Sequence, residues 1–98
     1  MNLIQYIAIT VRVAPVSVYV RDVEKAFKAG ADLPDAIGQV IKQHSPRAAD
    51  RLRDFFSAVR SAATTAGADE VAAEADLAVD HIAELTCEKA AEFTKAAD

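Results

Sequence analysis

The sequence predicts an all-α protein of four or five helices that ends in a long antiparallel helical hairpin. Composition is the first reason, since 22 of the 98 residues are alanine, whereas only three are glycine and three are proline. Alanine has the highest helix propensity, and a many-turned β fold would need more glycine and proline. Spacing is the second reason, because apolar residues recur every three or four positions through most of the chain. The length predicts one helical domain over residues 1–98.

The prolines and glycines mark the expected helix boundaries. Pro15, Pro34 and Pro46 each precede a helical pattern, and proline is tolerated at the first helical position because the amide there has no partner within the helix. Gly30 and Gly67 stand where helices are expected to end, since glycine adopts the left-handed conformation without steric cost. The helices predicted from these signals are 15–29, 34–44 and 46–66.

Apolar and charged residues separate into two sides of helix 15–29. The apolar residues recur at steps of four, three and four, which is one stripe of a 3.6-residue period. We expect this stripe to be buried and the charged side to face water. The stripe consists of Val16, Val20, Val23 and Phe27, and the charged side consists of Arg21, Glu24, Lys25 and Lys28.

A last helix of about 25 residues is predicted to begin with Asp69 as its N-cap. Its apolar positions follow steps of four, three, four and three, a heptad pattern that lets a neighbouring helix pack closely. Because the connection at Gly67 is short, helices 46–66 and 70–95 are expected to form an antiparallel hairpin. The seam residues are Val71, Ala75, Ala78, Ile82 and Leu85.

The conformation of residues 2–14 is ambiguous in the sequence. Branched aliphatic residues fall at every second position from Ile7 to Val13, which is typical of a strand. The same segment also has a helical interpretation, which we favour because a single strand would have no partner in an otherwise helical chain. An extended arm would have to pair with another chain. The helical interpretation places Leu3, Ile4, Ile7, Val11 and Ala14 on one side.

The leading segment is too apolar to lie bare in water, so we expect protein to cover it, either the rest of the chain or a second copy. A membrane-associated protein acting through residues 1–20 is an alternative. Arg12 argues against it, since arginine near the middle of a span costs about 2.5–3.5 kcal/mol on an insertion scale. No basic residue precedes the apolar run, as it would in a signal peptide. The expected contact residues here are Ile4, Ile7, Val11 and Val13.

Charge is segregated along the chain, although its net value is only −4. Residues 1–66 carry nine Lys/Arg against six Asp/Glu, a net of +3. They comprise an apolar segment (1–14) and a mildly basic body (15–66). Residues 67–98 carry two against nine, a net of −7. Opposite charges favour contact within one chain or between chains. Candidate contact residues are Arg47, Arg51 and Arg60 on the basic side, and Ile82, Glu84, Leu85 and Glu88 on the last helix.

A DNA-binding regulator is the main alternative function. Helices 34–44 and 46–66, joined by a tight turn, resemble the outline of a helix-turn-helix reader with arginines on its second helix. Asp50 and Asp54 interleave with those arginines, however, and pairs such as Asp50–Arg53 would neutralise them. The turn lacks the glycine usual in that motif, and no aromatic residue alternates with the basic ones. Nucleic acid is therefore a disfavoured partner.

No pattern in the sequence predicts an enzyme, a cofactor or a metal site. A glycine-rich phosphate loop and a G-x-S-x-G elbow are both missing from the sequence. His81 and Glu84 could reach one ion, but the metal sites of helical bundles use the reverse order on two helices. The single cysteine, Cys87, excludes an internal disulfide and suits a reducing compartment, so we expect the cytoplasm or a particle assembled there.

These observations together predict a non-enzymatic structural or interaction protein. Its partners would be further copies of itself, another protein, or both, in a larger oligomeric assembly. A component of a virus or phage particle would fit a subunit of this size.

Overall fold

The computed structural model describes residues 2–44 and 47–97 of the chain, with side chains as far as Thr86. Within these residues the protein is all-helical, and no strand is present. The all-α prediction is confirmed, and the leading segment forms a helix over residues 3–13 and not an extended arm. The helices are α1 (Leu3–Val13), α2 (Val18–Lys28), α3 (Leu33–His44), α4 (Arg47–Ala66) and α5 (Asp69–Ala97).

Local capping and one tertiary hydrogen bond hold the first turn of α1. The Asn2 side chain accepts from the Gln5 amide at 2.9 Å, and the Gln5 side chain accepts from the Asn2 amide at 3.1 Å. This reciprocal arrangement is a capping box. The next free amide, that of Leu3, donates to a carboxylate oxygen of Glu74 on α5 at 3.1 Å. A negative charge at a helix N-terminus also complements the helix dipole.

The predicted start of the second helix at Pro15 is wrong. Pro15 lies in the connection, and α2 begins at Val18 with Ser17 as its N-cap, whose hydroxyl accepts from the Val20 amide at 3.4 Å. Proline disfavours helical geometry in the residue before it, and Ala14 is accordingly extended, with φ −136° and ψ 149°. Pro15 therefore ends α1 and does not begin α2.

The start of α3 agrees with its predicted position to within one residue, whereas Pro46 lies outside the described residues. The Asp32 carboxylate accepts from the Asp35 amide at 2.9 Å, so Asp32 caps α3 and Pro34 falls in its first turn. At the last helix, Asp69 is the first helical residue and not the cap that the sequence predicted, because the Ala68 carbonyl already accepts the first helical hydrogen bond, from Ala72.

Glycine terminates α2 and α4 as predicted. Gly30 has φ 101° and Gly67 has φ 76°, both in the left-handed region. After Gly67, the Ala68 amide donates back to the Ala63 carbonyl at 2.8 Å, which is the long hydrogen bond of a Schellman motif. This turn reverses the chain and sets α5 against α4.

The antiparallel hairpin of α4 and α5 is the most extensive helix pair, and α1, α2 and α3 pack on it. The predicted heptad seam of α5 is buried from Val71 to Ile82, and Leu85 is half-buried. The chain therefore covers its own seam. The largest fully buried side chains are Phe56, Leu3, Ile7, Ile37, Leu52 and Ile82.

Candidate interaction surfaces

The leading helix is only partly covered by the rest of the chain. Leu3 and Ile7 are fully buried, and Val11 is half-buried against the core. Ile4 is 40% exposed and Val13 is 77% exposed. Of the four contact residues predicted in this segment, Ile7 thus belongs to the protein's own core, whereas Ile4 and Val13 remain open on its surface.

The outer side of α1 is aliphatic as well. Ile9 is 48% exposed and lies one turn before Val13, with the exposed Arg12 between them. We call Ile9, Arg12 and Val13 the α1 face. Val18, at the start of α2, is 58% exposed. Ile9 was not among the contact residues predicted from the sequence, although a helical wheel with Leu3 and Ile7 inward places it on the opposite side.

The hairpin brings the basic and acidic segments together through one ion pair. Arg60 Nη1 lies 2.7 Å from Asp76 Oδ1, and this contact connects α4 to α5. Arg60 was a predicted contact residue, but Asp76 was not, and the expected partner Glu84 is exposed with no ion pair to described residues. The side chain of Glu88 lies outside the described residues. The acidic charge of α5 is therefore only partly matched within the part of the chain that the structure describes.

The arginines of α4 are also partly neutralised within their own helix. Arg53 Nη2 lies 3.0 Å from Asp50 Oδ1, which confirms the predicted pair of residues three positions apart. Arg47 and Arg51 are exposed, and neither has an ion pair among the described side chains. An exposed intrahelical pair contributes only tenths of a kcal/mol, but it lowers the positive potential available to a nucleic acid.

An apolar groove opens between α3 and α5. Its volume is about 110 Å³, and almost all of its lining atoms are apolar. Leu77 forms its outer edge and is 65% exposed. Leu77 was not predicted as a contact residue, because it lies off the heptad seam. The lining residues are Leu33, Pro34, Ile37, Leu77, Ala78 and His81.

A second, larger and polar cleft separates α2 from α3. Its volume is about 260 Å³, and its lining includes Asp22, Lys25, Gln39 and Gln43. At the end of α3, His44 Nε2 lies 3.3 Å from Asp22 Oδ2, and the His44 ring packs on Tyr19 with ring centroids 5.5 Å apart. The charged and amide side chains that line this cleft are at least partly solvent-accessible.

The described residues contain no group of three or more His, Cys, Asp or Glu side chains that could hold a metal ion. None of the helices in that part of the chain combines the length and apolarity needed to cross a bilayer. Comparisons of the chain with protein-family models, with curated proteins and with solved structures found no match.

Proposed function

We propose that this chain is a non-enzymatic structural protein, a small subunit that assembles with further copies of itself through the exposed side of α1. The observation that carries the proposal is that α1 is apolar on both sides. Leu3 and Ile7 are buried in the chain's own core, while Ile9 and Val13 are exposed on the opposite side. A helix with apolar residues on all of its sides is usually buried on all of its sides.

The polar residues of α1 do little to offset this apolar character. The Thr10 hydroxyl donates to the Tyr6 carbonyl of the preceding turn at 2.8 Å, so it is satisfied within the helix. Arg12 is the one charged residue of α1. Single exposed aliphatic side chains are ordinary, but several on one face indicate a contact surface. Burying each one fully is worth about 1.5–3 kcal/mol, which is enough for a few such residues to drive association.

The charge distribution supports the same proposal. Only Arg60–Asp76 joins the basic and acidic segments among the described side chains, so most of the exposed charge of both signs remains available to a neighbour. Opposite charges on one chain favour contact between copies. A virus or phage particle stays our prediction for the kind of assembly, on the basis of size alone.

The test is the mass of the chain in solution, measured by light scattering and sedimentation equilibrium over a wide concentration range. We expect the mass to rise above 10.4 kDa with concentration. The double substitution Ile9→Asp, Val13→Asp should raise the dissociation constant at least about tenfold, because it places charge in an apolar contact.

The double substitution Ala58→Asp, Ala62→Asp is the matched control, since both residues are exposed on α4, four positions apart, and the change adds the same two charges away from α1. It should leave the mass unchanged, and circular dichroism should show that all variants keep their helical content. A wild-type chain that stays at the monomer mass at every concentration would contradict the proposal.

A further inference from the structure

We propose that the α1 face of one copy docks into the apolar groove between α3 and α5 of a second copy. This inference rests on the proposed function and names the surface that receives α1. Both surfaces lie on the same chain, but on different helices, and no described residue covers either of them.

The shape of the groove suits a branched aliphatic side chain. An apolar cavity of roughly 150 Å³ holds a benzene molecule, so a groove of about 110 Å³ accepts a smaller group. Val13 is the most exposed of the large apolar residues and ends in an isopropyl group of suitable size. Ile9, one turn away, would then lie along Leu77 at the outer edge of the groove.

The charges around the two surfaces are complementary. Arg12 is exposed between Ile9 and Val13, and it has no ion pair among the described side chains. Asp80 and Glu84 are both exposed and follow Leu77 on the same side of α5, at the helical spacing that makes side chains neighbours. An aliphatic face that carries a cation is thus complementary to an apolar groove with two carboxylates beyond its Leu77 edge. Such complementarity selects the partner and its orientation.

A second copy is the occupant because α1 cannot reach the groove of its own chain. Leu3 and Ile7 anchor the inner side of α1 in the core, and the Leu3 amide is bound to Glu74. The α1 face points away from that core, so docking within one chain would require α1 to leave it. A contact between two different surfaces of identical chains repeats from copy to copy, and it generates a closed ring or an open array.

A charge-swap experiment tests this contact. Arg12→Glu alone and Asp80→Arg alone each place like charges together, and each should raise the dissociation constant of self-association at least about tenfold. An equimolar mixture of the two variants restores opposite charges at both contacts. We expect the mixture, and the chain that carries both substitutions, to associate within about threefold of the wild type.

Arg53→Glu and Asp54→Arg are the matched controls, because they make the same charge changes at exposed positions of α4 that are not among the predicted contact residues. They should leave association within about threefold of the wild type, and thermal melts should show that every variant is folded. The inference is overturned if the mixture stays as weak as the single variants, or if Arg53→Glu weakens association as much as Arg12→Glu.

The outcomes separate this inference from the proposed function. If the Ile9→Asp, Val13→Asp variant loses association but the charge swap brings no recovery, α1 is the contact surface and the groove is not its receptor. If the wild type is monomeric throughout, both proposals fail. Recovery of association in the mixture, with no effect of the control substitutions, supports both proposals.

Discussion

Glu24 is enclosed by the core of this protein, although the sequence placed it on the solvent side of α2. It is only 9% exposed, and one of its carboxylate oxygens forms an ion pair with Lys28 Nζ at 2.8 Å. The other oxygen, Oε2, is buried without a hydrogen-bond partner among the described residues. The single-stripe interpretation was wrong here because α2 packs against α1, α3 and α4, so its buried arc is wider than one stripe.

Glu24→Leu should therefore stabilise the protein by about 1 kcal/mol, because it removes a buried carboxylate oxygen that lacks a partner. The ion pair lost with it is worth less, since Lys28 is 68% exposed. Glu24→Gln is the control: it keeps a polar group in the same place and should bring no such gain. Urea unfolding at neutral pH measures both free energies. A Glu24→Leu protein less stable than Glu24→Gln would contradict the argument.

At the scale of the element, helix ends were more predictable than helix starts. Gly30 and Gly67 terminate their helices as predicted, because the left-handed conformation is a local property of glycine. The helix starts depended on side chains that compete for the first free amides. Ser17 caps α2, so that helix begins after Ser17 and not at Pro15. The capping box of Asn2 and Gln5 begins α1, in a segment where the sequence also allowed a strand.

Substitutions at two glycines separate the effect of glycine at the end of a helix from its effect within a helix. Gly67→Ala should destabilise the protein by about 1 kcal/mol, since φ there is 76° and alanine is strained in that region. Gly38→Ala should instead stabilise it by about 0.5–1 kcal/mol, because Gly38 lies within α3 and an added methyl group meets no atom within 4 Å. Thermal and urea unfolding of the two variants provides the measurement. Equal effects of the same sign would contradict this assignment.

At the scale of the whole molecule, the hairpin is the platform on which the other three helices pack. Its seam was predictable because heptad spacing follows from the sequence. That the first partner of this seam would be α4 followed from the short connection at Gly67. The sequence did not say that α1 and α3 would also contact α5, nor that Glu74 would bind the start of α1. The Leu3–Glu74 contact, for example, joins residues 71 positions apart, and no local pattern encodes it.

Ile82→Ala tests how much the shared seam contributes. Ile82 is fully buried, and such truncations cost about 2–5 kcal/mol, a large part of the 5–15 kcal/mol that typically stabilises a domain. Leu77→Ala on the same helix is the control, because Leu77 is mostly exposed and its loss should stay within about 0.5 kcal/mol. Unfolding is measured on dilute samples, so that association does not contribute. Similar losses for the two variants would show that the seam is not the core.

The sequence by itself determined that this protein is helical, where most of its helices end, which residues of α5 form the seam, and how charge divides along the chain. These are local properties of propensity, spacing and composition. Only the tertiary structure decided that Glu24 is buried, that Arg60 pairs with Asp76, and that α1 uses Leu3 and Ile7 inward while Ile9 and Val13 stay outward. The physical reason is that burial depends on which neighbours a helix meets, and α1 is apolar enough on both sides that its own residues do not choose between them.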